Sequence, residues 1–207
     1  MKNPWEKITL ETYEKHMSLD SVQQLQALER LMQKQLTDYD TETAMILGIA
    51  GGNGLRSVRK EQYRKVYGID INEHYLRAVR ERYPQLSGML ECLRIDLIAE
   101  AEKLPQVQLV IADLLIEYIG YAAFQRAVQQ AAAEYVSCVI QINTDAAQWV
   151  SDSPYLHAFD GLDAVHHQME PSALTAAMRG IGYQNILTES EALPNGKALL
   201  RLDYRKS

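Results

Sequence analysis

The chain has 207 residues, 47% hydrophobic and 23% charged, enough to bury a core as one domain without disulfide or metal staples. Its net charge of −6 argues against a surface built to neutralise phosphates, so nucleic acid is an unlikely partner. Residues 1–10 carry Lys2, Glu6 and Lys7 and no apolar run, so they read as neither leader nor anchor, and no stretch approaches the ~18 apolar residues of a spanning helix.

Residues 1–19 are mixed and weakly patterned. A helix is expected from about 21 to 36, with Ser21 and Gln24 as a capping box and Val22, Leu25, Leu28, Leu31, Met32 and Leu36 on one face. The pattern then alternates. Residues 44–49 are wholly apolar, as in a strand buried on both faces. A helix is expected at 55–63, a strand at 65–71, a helix at 73–83 ending before Pro84, a strand at 89–95 and a short helix at 97–104. A strand at 108–114, an Ala-rich helix at 121–135 and a strand at 137–143 follow. Strands alternating with helices predict βαβ units and a parallel sheet covered on both sides. Residues 144–169 lack a clear period. Pro171 suits the first turn of a helix running to about 180. Two further strands, 183–189 and 197–204, flank Asn195-Gly196, a strong hairpin signal.

The chain has 11 glycines, and Gly48, Gly51, Gly52 and Gly54 fall within seven positions, directly after the first strand. Glycines there let the backbone turn sharply and approach a ligand. The second strand ends in Asp70, 16 residues after Gly54. A carboxylate at that tip can accept the hydroxyls of a ribose, and ligands of open α/β sheets bind beyond such strand ends. Dinucleotides and S-adenosylmethionine share this arrangement. Ser57 stands where a third dinucleotide-motif glycine is expected, whereas Arg56 suits a phosphate. The C-terminal hairpin favours S-adenosylmethionine.

On the residues ILGIAGGNGL (46–55), VYGIDI (66–71), LRIDL (93–97) and VIADLL (110–115), the chain resembles the class I S-adenosylmethionine-dependent methyltransferases over roughly 44–204. The resemblance implies a Rossmann-like, doubly wound, mostly parallel seven-stranded sheet with a C-terminal antiparallel hairpin. It implies S-adenosyl-L-methionine as cofactor. Ala50, Gly51, Gly52, Asn53 and Gly54 would line its methionine end. Asp70 would hold the ribose, Ile71, Asp96 and Leu97 the adenine. Asp113 and Leu114 would sit near the transferred methyl. The sequence departs from the family at Gly48, where an acid is usual, and at Ala50, where a glycine is usual.

The Pro-Pro-Tyr signature of enzymes that methylate amide or amino nitrogens of nucleobases and proteins is missing after Asp113. Glu117 and Tyr118 are placed to meet a substrate, Glu117 as a base or as a partner for a cationic amine. Residues 1–43 are expected to form a helical cap, 44–207 the methyltransferase domain, and 144–169 an insertion forming a second wall. An enclosed pocket favours a small-molecule substrate. Residues 144–196 carry seven acids and one base, which suits a neutral or cationic one. His157, His166 and His167 lie in the insertion, but no metal is implied. Cys92 and Cys138 sit in apolar runs without a C-x-x-C partner and read as reduced, buried thiols of a cytoplasmic protein. Residues 56–82 hold eight Lys/Arg against four acids and read as a solvated surface. The alternatives are an NAD(P)-dependent oxidoreductase or other dinucleotide-binding protein, and a non-catalytic cofactor-binding module.

Overall fold

The computed structural model describes residues 3–143 and 149–207. Seven strands form one sheet: β1 (Thr43–Leu47), β2 (Lys65–Asp70), β3 (Leu90–Arg94), β4 (Leu109–Asp113), β5 (Tyr135–Ile142), β6 (Tyr183–Ala192) and β7 (Ala198–Lys206). Their order is β3-β2-β1-β4-β5-β7-β6. The first five run parallel, and β7 pairs antiparallel with both β5 and β6. The order reverses between β1 and β4. This is the expected mostly parallel, doubly wound sheet with a C-terminal antiparallel hairpin.

Among the described residues five α-helices surround it: α1 (Leu10–Ser18), α2 (Gln24–Thr37), α3 (Glu73–Arg82), α4 (Ile116–Ala131) and α5 (Pro171–Gly180). The two-residue period of β1 divides the core. Met45 and Leu47 face Phe124, Ala127 and Val128 of α4 and Leu174 and Met178 of α5. Ala44 and Ile46 face Met32 and Leu36 of α2 and Leu76 and Val79 of α3. Burial on both faces explains why the central strands read as unbroken apolar runs. A third cluster joins Met17 of α1 and Ala27, Leu28 and Leu31 of α2 to Val139 and Leu199 of the sheet.

Several elements differ from the sequence expectation. The helix α1 starts at a Thr9 cap, whose Oγ1 accepts the Thr12 N–H at 3.2 Å. The helix α2 begins at Gln24, not 21. Gln23 precedes it with φ 51°, and no side chain caps it, so the Ser21 capping box does not form. Gln24 is buried and donates its side-chain amide to Gln141 instead. The helix expected at 55–63 is reduced to a 3-10 turn at Leu55–Ser57, because Val58 is already extended (φ −69°, ψ 117°). The short helix expected at 97–104 is a 3-10 turn at Ala101–Lys103. The helix α4 starts five residues early and breaks at Gly120 (φ 72°, ψ 166°). Cys138 is buried, whereas Cys92 is half-buried, and both are free thiols.

Candidate functional site

The carboxyl ends of β1, β2 and β4, with the residues after β3, converge on a cavity at the point where strand order reverses. Gly48 and Ala50 line it from β1, Asp70 and Ile71 from β2, Asp96 and Leu97 from β3, and Asp113 and Leu114 from β4. Eight of the residues expected at a ligand site thus meet in one place, with Gly48 added: Ala50, Asp70, Ile71, Asp96, Leu97, Asp113, Leu114 and Tyr118.

Gly48 adopts φ +70°, and its N–H donates to the Ile69 carbonyl at 2.8 Å. A Cβ there would crowd Leu115 and sit in the left-handed region. An acid there would strain the backbone and push the Leu115 side chain aside, and Asp70 instead binds a loop amide. Its Oδ2 accepts the Ala50 N–H at 3.0 Å and its Oδ1 the Asn72 N–H at 2.9 Å. Each oxygen retains a lone pair. Burial pushes the Asp70 carboxyl up to about 6 despite these bonds.

Asp113 lies deeper. Its Oδ1 accepts from Gln35 Nε2 at 2.9 Å, and its Oδ2 is buried without a partner among the described residues. Burial raises this carboxyl to about 7. Leu114 follows at φ 52°, strained backbone of the sort that collects at functional sites. Asp96 accepts the Ile98 N–H through Oδ1 at 2.9 Å, between the apolar walls of Ile95 and Leu97.

Gly51, Gly52, Asn53 and Gly54 do not line this cavity. A Cβ on Gly51 would strike Glu14 and Arg82, on Gly52 Tyr83, and on Gly54 Met32. Asn53 donates to the Leu25 carbonyl at 2.9 Å. Their small size lets α1, α2 and α3 close over the loop. The missing helix after it also matters. A dinucleotide pyrophosphate is received at a helix N-terminus, and here the chain offers one 3-10 turn.

The N-terminal segment, unpatterned in sequence, supplies a wall. Asn3, Trp5 and Tyr13 line the cavity. Asn72 Nδ2 donates to the Trp5 carbonyl at 3.0 Å, and Tyr75 Oη donates to the Ile8 carbonyl at 2.9 Å. Trp5 meets Tyr118 edge-on at 4.8 Å and Tyr13 at 5.9 Å. The Tyr13 hydroxyl is pushed up by burial, and further by the nearby Asp70 and Asp113 carboxylates.

A second cavity adjoins the first and shares Trp5, Tyr13, Leu114 and Tyr118 with it. Glu117, Gln24, Gln141 and His16 line it, with Trp149, Phe159 and His166 from the insertion. Sequence reasoning singled out Glu117, Tyr118 and the insertion histidines; it missed Gln24, Gln141 and Trp149, which come from three separate segments with no shared motif. Residues 144–148 of the expected insertion lie outside the described residues.

Among the described residues no group of three or more His, Cys, Asp or Glu side chains is arranged to hold a metal ion. His157 lies exposed beside Asp160, and His166 stacks on Trp149 at 3.9 Å. Among the described residues, four of the eight basic residues at 56–82 pair with acids: Arg56 with Glu29 at 2.8 Å, Lys65 with Glu91 at 2.6 Å, Arg80 with Glu73 at 2.9 Å, and Arg82 with Glu14 over Gly51. No described helix is long and apolar enough to cross a membrane.

No family profile and no curated protein sequence matches the chain. Solved structures do. A magnesium protoporphyrin IX methyltransferase from Synechocystis PCC 6803, with S-adenosylhomocysteine bound, is similar at TM-score 0.66 and 11% identity over 95% of this chain and 94% of that one. The N-methyltransferase NodS from Bradyrhizobium japonicum WM9 is similar at TM-score 0.62 and 10% identity over 91% and 99%. The cyclase SpnF is similar at TM-score 0.65 and 12% identity over 87% and 82%. The chain has the fold of the class I S-adenosylmethionine-dependent methyltransferases.

Proposed function

We propose that this chain is a methyltransferase that binds S-adenosyl-L-methionine in the first cavity and methylates a small molecule held in the second. The observation that carries the reading is the pair of adjoining cavities at the sheet's switch point, one lined by Asp70, Asp96 and Asp113, the other by polar and aromatic side chains.

The residues fit the cofactor. Asp70, already fixed by two backbone amides, accepts the ribose hydroxyls. Ile71 and Leu97 flank the adenine, and the Asp96 carboxylate accepts from its amino group. Ala50 and Leu114 contact the methionine portion, with Gly51, Gly52, Asn53 and Gly54 supporting that turn from behind. The unpartnered Asp113 Oδ2 is suited to an ammonium or to the positive field of a sulfonium, since a buried carboxylate without a partner is stabilised by a cation. The bound cofactor supplies an electrophilic methyl.

The protein's part is placement. Aligning a nucleophile with the departing group supplies roughly 7–11 kcal/mol in well-oriented systems. Trp5, Tyr13 and Tyr118 form the shared aromatic wall that excludes water from the junction. Glu117 and Tyr118 meet the substrate on the far side. The enclosure by residues 3–18 and the insertion favours a small substrate over nucleic acid. Residues 1–43 act as a cap on a methyltransferase domain spanning 44–207. Net charge and thiol content suit a cytoplasmic setting.

Calorimetric titration tests the reading. Binding of S-adenosylhomocysteine at micromolar Kd, with no heat from NAD or NADP, is the expected result. Binding of a nicotinamide cofactor alone would overturn it in favour of a dinucleotide protein.

A further inference from the structure

The second cavity has an unbalanced charge. Glu117 is 5% exposed and lines it. Its Oε1 accepts the Gln141 N–H at 2.9 Å, and its Oε2 is buried with no partner among the described residues. Among the described residues no lysine or arginine lines the cavity. Burial disfavours the charged form of both lining histidines. Burial lowers His16 to about 4, where its Nδ1 shares a 2.8 Å hydrogen bond with Ser153 Oγ, and burial also lowers His166. Lys197, outside the lining, donates Nζ to the Trp149 carbonyl at 2.7 Å and is pushed down to about 8 by burial.

Aromatic side chains share the rest of the wall with the amides of Gln24, Gln141, Asn143 and Gln168 and with apolar side chains. The Trp149 indole and the His166 ring stack at 3.9 Å and 12°, and Tyr118 meets Trp149 edge-on at 6.1 Å. Aromatic faces beside a desolvated carboxylate select a cation that carries hydrogen-bond donors. An anion there would meet Glu117 and find no counter-charge.

We propose that the second cavity takes a primary or secondary amine, and that Glu117 Oε2 is the acceptor of its N–H proton. This rests on the methyl-transfer reading. The amine enters as an ammonium and passes one proton to Glu117 Oε2, which becomes a carboxylic acid. The freed nitrogen lone pair forms the N–C bond to the sulfonium methyl, and the breaking C–S bond leaves its electron pair on sulfur as a neutral thioether. The product leaves as the methylated ammonium, and Glu117 returns its proton to water. Burial holds Glu117 up at about 7, where it can both accept and release a proton near neutral pH.

The test is calorimetry on the full chain saturated with S-adenosylhomocysteine, titrated separately with benzylamine, benzyl alcohol and benzoate. Benzylamine is expected to bind at a Kd on the order of 1 mM, with the alcohol and the acid at least tenfold weaker. E117Q is expected to weaken benzylamine at least tenfold and to leave the S-adenosylhomocysteine affinity within twofold. Equal binding of the alcohol or the acid, binding of none of the three, or full benzylamine affinity in a folded E117Q would each overturn the proposal. The three-probe comparison on the unaltered chain stands whether or not E117Q folds. A chain that does not bind S-adenosylhomocysteine overturns the methyl-transfer reading itself, and with it the amine proposal, before any amine is added.

Discussion

Gln35, on the inner face of α2, donates Nε2 to Asp113 Oδ1 at 2.9 Å, so an outer helix holds the carboxylate at the end of β4. The other Asp113 oxygen is buried and unpartnered. Half of the carboxylate is positioned and half is open.

That arrangement is expected to be destabilising without a ligand, and the sign can be followed with pH. The folded carboxyl titrates at about 7, raised by burial from an ordinary 3.8. Below 3.8 both folded and unfolded chains hold the proton and no difference arises. Between 3.8 and 7 the unfolded chain has released it while the folded chain keeps it, so stability falls as pH rises. Above 7 the penalty is complete. D113N removes the charge and keeps an acceptor for Gln35. It is expected to raise Tm at pH 8 by roughly 5 °C or more, an effect that vanishes at pH 4, and to weaken S-adenosylhomocysteine at least tenfold. Melting curves at the two pH values check it.

Ala50 holds φ 46° and donates its N–H to Asp70. A left-handed alanine costs about 1–2 kcal/mol relative to its preferred backbone. A50G is therefore expected to stabilise the chain by about 1 kcal/mol while keeping the Asp70 bond. Urea unfolding measures it; a loss of stability would show that the Ala50 methyl packs more than it strains.

His16 gives the opposite pH sign. It titrates at about 4 in the fold, lowered by burial from 6.5. Between 4 and 6.5 the unfolded chain binds the proton first, so stability falls as pH drops through that window. H16Q is expected to flatten this part of the Tm–pH profile between pH 7 and 4, with little change at pH 8.

Trp5 touches Tyr13 and Tyr118 edge-on, and such pairs contribute about 0.5–1.5 kcal/mol each. W5A is expected to weaken S-adenosylhomocysteine about tenfold, because the segment that covers the cavity loses its anchor. A near-unchanged affinity by calorimetry would remove this segment from the site.

Much of this was legible in the chain. The apolar runs of β1, β4 and β5 are buried on both faces and carry no competing period, and Asp70 follows the glycine loop in a readable register. The Asn195-Gly196 turn marked the hairpin. Other parts were not legible, for physical reasons. The helix α1 buries few positions, chiefly His16 and Met17, and so shows no full stripe. The residues 55–63 carry apolar side chains at Leu55, Val58 and Tyr63, a spacing that an irregular segment satisfies as well as a helix. Gly51, Gly52 and Gly54 were read for what they let a ligand do, and the structure uses them to admit Glu14, Tyr83 and Met32. The second cavity draws Gln24, Gln141 and Trp149 from a helix, a strand and a loop, a convergence that no local pattern encodes.

The most direct measurement is a crystal structure of the chain with S-adenosylhomocysteine. The account predicts the ribose on Asp70, the adenine between Ile71 and Leu97, the ammonium at Asp113 and the sulfur facing the second cavity past Leu114. A cofactor bound elsewhere, or a sulfur walled off from Glu117 and Tyr118, would contradict it.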